Sequence, residues 1–296
     1  MKIERTMVVI TGASRGIGAA VAREMAGCGA GQLVLMARNV DGLKQVADDV
    51  ARLGSHAEIR PVDLADASAV KHITAEIQQQ LGTPDIIINN AGAGRSLFLE
   101  ETAAEEAIAM MAVPYFAAFN VTRAFLPAML TRRTGHIVNV TSPAAFLPWP
   151  GATGYAASRW AMRGFHEALR MDFRGTGLKS TLVVPGKTRT DYFVHNPGFA
   201  ERLPGINRMF RTLDSAEVAL AIRQAVERGR RQVILPRLLH MTLLLCRFLP
   251  WPVEMLVGRT GANRIANSTA SNSEDPVTLA TEIEDAKSGF AVNDTR

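Results

Sequence analysis

The sequence is poor in cysteine and has no long run of charge of one sign. Its two cysteines, Cys28 and Cys246, lack a second metal ligand at CxxC spacing, so we expect a reducing compartment without disulfides or thiolate metal sites. The net charge of +5 is carried by basic residues that occur singly or in short pairs. No basic tract could follow a phosphate backbone, and we do not expect nucleic acid as a partner.

Long uninterrupted apolar runs and clustered histidines are also missing. The most apolar stretch, residues 235–257, is broken by charged residues and prolines, so it falls short of the roughly 20 apolar residues that a membrane-spanning helix needs. The first apolar run begins at Met7, which leaves no room for a signal peptide and predicts a cytoplasmic protein. The six histidines have no HExxH or paired spacing, so no metal site is predicted.

Short apolar runs alternate with helix-length amphipathic segments. The predicted strands are 7–10, 33–36, 58–62, 86–88, 136–140, 181–184 and 232–235, and the predicted helices are 16–27, 41–53, 67–81, 103–130, 153–174 and 214–227. Strands this apolar suit a parallel sheet covered on both faces, and right-handed crossovers favour a doubly wound arrangement. We predict one α/β domain over residues 1–235, with seven parallel strands and ligands bound at their C-terminal ends.

The composition changes twice after this domain. Residues 236–258 are predicted to form an apolar C-terminal extension. Residues 259–296 consist mainly of Asn, Ser, Thr, Ala and acidic residues, which cannot bury enough apolar surface to offset the entropy of ordering, so we predict a disordered tail.

A glycine-rich turn, Thr11-Gly-Ala-Ser-Arg-Gly-Ile-Gly18, follows the first predicted strand and opens the first predicted helix. At such a junction, backbone amides and the positive end of the helix dipole point towards a bound phosphate. The turn therefore predicts a site for the pyrophosphate of a dinucleotide. A purely structural strand-to-helix turn is the alternative interpretation.

Five segments together resemble the short-chain dehydrogenase/reductase family over residues 6–235: the glycine turn, Asn89-Asn-Ala-Gly92, Ser142, Tyr155 and Pro185-Gly-Lys-Thr-Arg-Thr190. The resemblance implies a Rossmann fold and a nicotinamide dinucleotide. It places Asp63 and residues 89–92 near the adenosine, and the Pro-Gly segment near the nicotinamide. The predicted cofactor-binding residues are Gly12, Ser14, Arg15, Gly16, Ile17, Gly18, Arg38, Asp63, Asn90, Ala91, Gly92, Tyr155, Arg159, Pro185, Gly186, Thr188 and Thr190.

The end of the second predicted strand favours NADP(H) over NAD(H). An acidic residue there would accept hydrogen bonds from the ribose 2′-hydroxyl, but the chain has Ala37-Arg38-Asn39. Arg15 lies inside the glycine turn, and two guanidinium groups beside one 2′-phosphate would form strong charge-assisted hydrogen bonds. The alternative is that Arg38 is only a solvated surface residue.

Ser142 and Tyr155 are the predicted catalytic pair. Carbonyl reduction needs a proton donor at the developing alkoxide and a hydrogen-bond donor that positions the oxygen. Tyr155 follows Ser142 by thirteen residues, a spacing that matches the family.

Two positions depart from the family pattern. Arg159 stands where the family has lysine, and alignment by eye puts Pro114 where it has a catalytic asparagine. Arginine can supply the cation that favours a phenolate and can donate to the ribose, but it stays protonated. Proline preserves a helix break without a side-chain donor. We therefore expect reduced turnover, and a weakly active or non-catalytic NADP(H)-binding sensor or scaffold remains the alternative function.

Two apolar segments indicate the substrate class. The loop 187–212 and residues 146–150 are rich in apolar side chains, which favours a hydrophobic ketone or aldehyde, lipid-, steroid- or retinoid-like, and a role in lipid metabolism. These side chains could instead only pack against the core. The extension 236–257 resembles segments of family members that touch membranes or partner subunits, and the family implies a homodimer or homotetramer.

Overall fold

The structure, a computed structural model, describes residues 1–192, 194, 196 and 198–262. Its strands are β1 Met7–Thr11, β2 Gln32–Ala37, β3 His56–Pro61, β4 Ile86–Asn89, β5 Gly135–Val140, β6 Leu178–Pro185, β7 Thr188–Arg189, β8 Leu213–Asp214 and β9 Gln232–Leu235. Its α-helices are α1 Gly16–Gly27, α2 Val40–Arg52, α3 Ala67–Gln80, α4 Ala104–Met111, α5 Ala117–Arg132, α6 Thr153–Asp172, α7 Ser215–Arg228, α8 Arg237–Phe248 and α9 Pro250–Thr260.

Seven strands form one parallel sheet in the order β3-β2-β1-β4-β5-β6-β9, which confirms the predicted doubly wound fold. On one side of β1 lie β2 and then β3, and on the other side β4 pairs with β1. The strand order therefore reverses between β1 and β4. In open parallel sheets the crevice outside such a reversal is where ligands bind.

Alternating side chains of the central strands supply two cores, one on each face of the sheet. Val8 and Ile10 of β1 belong to the core under α1, α2 and α7. Met7 and Val9 belong to the opposite core under α3, α5 and α6. Because both faces are covered, every residue of β1 is buried, and this explains why the strand is apolar without alternation.

The structure divides the helix predicted over 103–130 into two helices, so the prediction of one continuous helix is wrong. Helices α4 and α5 are joined by a wide helical turn over Ala112–Phe116, inside which Val113 has the extended angles φ −130° and ψ 104°. A residue that precedes proline is driven out of the α region by the proline ring. Pro114 thus breaks the helix where the sequence predicts a kink.

A second, two-stranded parallel sheet, β7 with β8, was not predicted. Strands of two residues carry too little pattern to be recognised from sequence. Their pairing brings the two ends of the segment 190–212 together, with Leu213 N donating to Lys187 O at 2.8 Å. The predicted substrate loop is therefore a closed loop anchored at its base.

The apolar extension is helical. Helices α8 and α9 pack against each other and bury four side chains beside the sheet edge: Leu239, Leu243, Val253 and Val257. Helix α9 ends at Thr260, so residues 259–260 of the predicted tail are helical, and residues from 263 onwards lie outside the described residues.

By length and composition, Ala104–Arg132 could cross a membrane, and α8 with α9 qualify only as a pair bent by 120°. Ala104–Arg132 corresponds to α4, the wide turn and α5, and α5 packs its buried side chains into the core beside the sheet. A core helix of this composition passes the same test, so this observation assigns no membrane span.

Candidate functional site

A pocket of about 800 Å³ lies at the C-terminal ends of the strands. It combines the predicted cofactor residues with the predicted catalytic pair in one cavity. Among the predicted residues, those that line it are Gly12, Ser14, Arg15, Gly16, Ile17, Arg38, Asp63, Asn90, Ala91, Gly92, Ser142, Tyr155, Arg159, Pro185, Gly186, Thr188 and Thr190.

The glycine turn forms the floor of one end of this pocket. Gly12 and Gly16 have positive φ angles of 65° and 57°, which glycine adopts without a steric penalty. Helix α1 begins at Gly16 with no side-chain cap and no acidic residue in its first turn. An uncapped helix start leaves backbone N–H groups for an anion, so the turn has the geometry that a pyrophosphate needs.

Gly18 is the one predicted cofactor residue that does not line the pocket. It is buried, and a Cβ atom there would overlap the carbonyl oxygen of Gly12. Its glycine is required by the close approach of helix and turn. The structure thus gives Gly18 a packing role beneath the turn, whereas the family resemblance grouped it with the cofactor-binding residues.

Asn90 fastens the glycine turn to the end of β4. Its side-chain nitrogen donates to Thr11 O at 3.1 Å and to Gly12 O at 3.3 Å, while its backbone N–H donates to Thr11 Oγ1. Ala91 N donates to the same hydroxyl. These bonds hold the two pocket-lining segments in register across the strand reversal.

Arg38 and Asp63 both line the pocket and face each other. Arg38 Nη1 lies 3.9 Å from Asp63 Oδ2, and the two side chains are 78% and 50% exposed. Asp63 Oδ1 accepts a hydrogen bond from Ala65 N. An exposed pair at this distance contributes little energy, so Arg38 could exchange this contact for a phosphate at small cost.

Ser142 and Tyr155 are both nearly buried, at 8% and 6% exposure, and both line the pocket. Ser142 follows β5, and its Oγ accepts a hydrogen bond from Ala144 N at 3.3 Å, which leaves its O–H free to donate. Tyr155 lies in the first turn of α6. The strand and the helix therefore bring the predicted pair to the same cavity.

Arg159 lies one turn along α6 with its guanidinium carbon 4.6 Å from the centroid of the Tyr155 ring. Its Nη2 donates to Ala93 O at 2.8 Å. Burial acts to lower the pKa of Arg159, but the charges of Tyr155 and Tyr192 outweigh it and raise the pKa above the usual value. The structure therefore sets a fixed cation against the Tyr155 ring.

Aromatic side chains surround Tyr155 on the other side. Phe199 of the loop lies edge-on at 4.8 Å between ring centroids, and Trp149 lies at 6.0 Å. Both line the pocket. The predicted substrate segments 146–150 and 187–212 thus meet at Tyr155. Phe193, His195 and Pro197 of that loop lie outside the described residues.

Several pocket residues were missed by the sequence analysis. From α8 and α9, Leu239, Thr242, Leu243 and Val257 line the pocket, and so do Ala109, Val113 and Asn196. Leu239 and Leu243 are four residues apart, the spacing of one helix face, so the sequence indicates that they share a face but not that this face lines the pocket. Asn196 carried no such signal. Within the described part of the chain, no group of three His, Cys, Asp or Glu side chains could hold a metal ion.

Comparison with known proteins agrees with this geometry. The short chain dehydrogenase family profile matches residues 6–197. The chain is 36% identical over 189 residues to 2,3-dihydro-2,3-dihydroxybenzoate dehydrogenase of Bacillus subtilis, covering 64% of this chain and 72% of that protein.

Two solved structures are similar over most of their length. A metagenomic short-chain oxidoreductase in complex with NADP has TM-score 0.67 and 29% identity, covering 79% of this chain and 98% of that one. A short-chain dehydrogenase/reductase from Burkholderia phymatum in complex with NAD has TM-score 0.75 and 25% identity, covering 84% and 95%. Structures similar to this chain therefore include complexes with both dinucleotides.

Proposed function

Because the chain belongs to the short-chain dehydrogenase/reductase family of oxidoreductases, we propose that it interconverts a hydrophobic ketone or aldehyde and its alcohol with NADP(H). The observation that carries the proposal is the single pocket in which the glycine turn, Ser142 and Tyr155 meet. A dinucleotide whose pyrophosphate is held at the turn and a carbonyl held beside the tyrosine would then share one cavity.

NADP(H) is favoured by charge. Arg15 and Arg38 both line the pocket beside the glycine turn, and guanidinium groups bind phosphate more strongly than a ribose hydroxyl. Asp63 is the nearby carboxylate, but it belongs to a weak, exposed pair. The similar structures bind either dinucleotide, so the preference here rests on these arginines.

The protein's own groups would handle the oxygen and the proton. The bound nicotinamide would supply or accept the hydride. Ser142 would donate a hydrogen bond that holds the substrate oxygen, and Tyr155 would give its proton to that oxygen as negative charge develops. Arg159, stacked on the Tyr155 ring, would stabilise the remaining phenolate and donate to the cofactor ribose.

The substrate side of the pocket is apolar. Leu147 and Trp149, the loop residues Phe199, Leu203 and Phe210, and Leu239, Leu243 and Val257 of the last two helices line it. Pockets of this size and lining take small apolar molecules with few polar groups. A lipophilic carbonyl compound fits this chemistry.

The test is NADPH binding followed by NADPH oxidation against a panel of medium-chain aldehydes, aryl ketones and steroid ketones. We expect turnover of at least one member, a loss of about 100-fold or more in kcat/KM for Tyr155→Phe, and a gain in kcat for Arg159→Lys. Tight NADPH binding without oxidation in any member, Arg159→Lys included, would favour the sensor function. Failure to bind either dinucleotide would reject both.

Self-association is proposed through α5 and α6. Phe116, Phe119, Trp160 and Met171 are exposed apolar side chains on or beside these helices, and Tyr115 and Phe119 stack on Phe165 between them. Exposed apolar patches of this kind mark interaction surfaces. Sedimentation velocity should give a dimer or tetramer, and a monomeric Phe119→Asp variant would locate the interface.

Peripheral membrane contact is proposed for α8 and α9. Leu245, Phe248 and Trp251 are exposed there, and Arg247 and Arg259 are basic neighbours, a composition typical of interfacial helices. The test is sedimentation with anionic liposomes for the full chain and for the surface variant Phe248→Glu with Trp251→Glu. Equal soluble fractions for both proteins would reject this contact.

A further inference from the structure

Tyr192 is the third of only three tyrosines in the chain. It belongs to the loop between β7 and β8, where sequence analysis counted it as one apolar side chain among several. In the structure it lines the same pocket as Tyr155, and both rings stand edge-on against Phe199, with ring centroids 5.6 Å and 4.8 Å away. Two phenols therefore share one corner of the cavity.

Gly94 lies against both tyrosine side chains. Tyr192 Oη donates towards Gly94 O at a long 3.4 Å. The other side of Gly94 faces the Tyr155 ring so closely that a Cβ atom there would lie 2.8 Å from Tyr155 Cδ2. Gly94 therefore contacts both the Tyr192 hydroxyl and the Tyr155 ring.

Asn196 fixes the main chain of Tyr192 in this place. Its Oδ1 accepts from Gly94 N at 3.2 Å, and its Nδ2 donates to Tyr192 O at 2.6 Å. Asn196 is 7% exposed, and the bond that it accepts from Gly94 N is buried. The phenol of Tyr192 is therefore set by a buried amide clamp and not only by contact with Phe199.

Charge completes the arrangement. Tyr192 interacts electrostatically with both Tyr155 and Arg159. Burial, followed by the charge on Tyr155, raises the pKa of Tyr192 above its ordinary value, so Tyr192 keeps its proton. A phenol that keeps its proton can donate a hydrogen bond to the Tyr155 oxygen, and such a bond is stronger when that oxygen is a phenolate.

We propose that Tyr192 is a positioning residue that donates a hydrogen bond to the Tyr155 oxygen when that oxygen becomes a phenolate. The inference rests on the proposed function, in which Tyr155 is the proton donor. It gives this chain a source of phenolate stabilisation where Arg159 replaces lysine and Pro114 offers no side-chain donor.

The proton steps balance. In reduction, the Tyr155 O–H bond breaks, its proton forms a bond with the substrate oxygen, and the negative charge remains on Tyr155. The Tyr192 O–H then turns from Gly94 O to Tyr155 O without leaving Tyr192. Water from the solvent returns a proton to Tyr155, and the Tyr192 O–H turns back.

The test follows tyrosinate absorbance as pH rises, which needs no substrate. The Tyr155 signal is isolated by subtracting the Tyr155→Phe variant in two backgrounds, wild type and Tyr192→Phe. Loss of a hydrogen bond to a charged group should move the midpoint of phenolate formation to higher pH by about one unit. Tyr115→Phe, a tyrosine outside the pocket, is the matched control and should leave the midpoint unchanged.

A second variant protects the test against poor folding. Asn196→Ala keeps the phenol but removes its clamp, and it should move the midpoint in the same direction by a smaller amount. Unchanged midpoints in both Tyr192→Phe and Asn196→Ala would overturn the proposal.

Turnover separates this proposal from the proposed function. With a carbonyl that the wild type reduces, Tyr192→Phe should lower kcat and shift the acid limb of the alcohol-oxidation pH profile upwards, with NADPH binding unchanged. A shifted midpoint without turnover of any carbonyl would reject the proposed function but leave the phenol pair standing. Turnover with an unshifted midpoint and profile would reject only the role of Tyr192.

Discussion

Arg38 forms an ion pair with Asp63, and the contact between these two side chains is long and exposed. Replacing it should therefore cost the fold little and act on the cofactor. In Arg38→Asp, the new carboxylate would repel a 2′-phosphate and accept hydrogen bonds from a ribose hydroxyl. We expect the ratio of NADPH to NADH affinity to fall by at least about tenfold, the equivalent of roughly 1.4 kcal/mol.

Fluorescence titration with both dinucleotides measures this ratio. Arg23→Asp, a substitution on the outer side of α1 at a residue paired with Asp49, serves as a control for the charge change. An unchanged ratio in Arg38→Asp would mean that Arg38 is only a surface residue.

Gly94 allows a second prediction at the scale of one residue. Its φ of 145° and its closeness to the Tyr155 ring mean that Gly94→Ala introduces both backbone strain and a clash. We expect the free energy of unfolding to fall by about 1–3 kcal/mol and kcat to fall with the displaced Tyr155 ring. Gly164→Ala, on α6 with open space around it, is the control and should stabilise slightly, as chemical denaturation would show.

Sequence reasoning grouped those site residues that belong to local motifs. Ser142, Tyr155 and the glycine turn were predicted to share a site, and the structure brings them to one pocket. It failed for Tyr192 and Asn196, because their contacts with Gly94 span 98 and 102 positions of the chain. No local spacing carries such a contact.

At the scale of elements, prolines explain both a success and a failure. Pro114 breaks the helix as predicted. Pro250 and Pro252 were treated as interruptions of the apolar stretch, yet Pro250 opens α9. Proline in a first helical turn loses no hydrogen bond and has a suitable φ, so the same residue type that ends one helix begins another.

The predicted substrate loop is held by an ion pair with the segment that precedes α4. Arg202 donates to both carboxylate oxygens of Glu101, with one contact at 3.0 Å, and its guanidinium lies over the Phe98 ring. Hydrogen bonding from Arg202 is the main cause that lowers the pKa of Glu101. Phe199 and Leu203, on either side of Arg202, line the pocket.

Glu101→Gln should therefore loosen the loop and weaken substrate binding. A partly exposed bidentate pair contributes about 1 kcal/mol, which corresponds to roughly a fivefold rise in KM for the carbonyl substrate. NADPH affinity should not change, because the glycine turn is untouched. Steady-state kinetics, with Glu105→Gln as the matched control, tests this prediction. A rise in the KM for NADPH without a rise in the KM for the carbonyl substrate would contradict it.

At the scale of the whole molecule, two histidines buried beside the sheet make stability depend on pH. Burial is the main cause that lowers the pKa of His136 to about 3 and that of His166 to about 4. The unfolded chain binds these protons near the ordinary value of 6.5 and the folded chain does not. These two histidines therefore leave the free energy of unfolding undiminished above about pH 6.5, and they lower it as pH falls towards 4.

Urea unfolding at pH 7 and pH 5 measures this loss. Each histidine should contribute on the order of 2 kcal/mol between these pH values, so His166→Gln should remove about half of the difference. His72→Gln, at an exposed histidine, should leave the difference intact. Equal losses in the wild type and in His166→Gln would show that His166 is not the cause.

The fold as a whole was more predictable than its site. Apolar strands at regular spacing define the sheet because a parallel sheet buries both faces, and β1, β4 and β5 are buried throughout. The pocket wall formed by α8 and α9 was not predicted, because these helices reach the pocket only through tertiary packing against Leu182 and Val184. Periodicity reports which face is buried, but not what covers it.

The position of α8 and α9 offers a route for protein engineering. The glycine turn, Ser142 and Tyr155 all precede residue 156, whereas one wall of the pocket is contributed by the last two described helices. A library restricted to Leu239, Thr242, Leu243 and Val257 would reshape that wall in a single gene cassette. Substrate range could then be altered by grafting one helical hairpin while the groups proposed to perform the chemistry remain untouched.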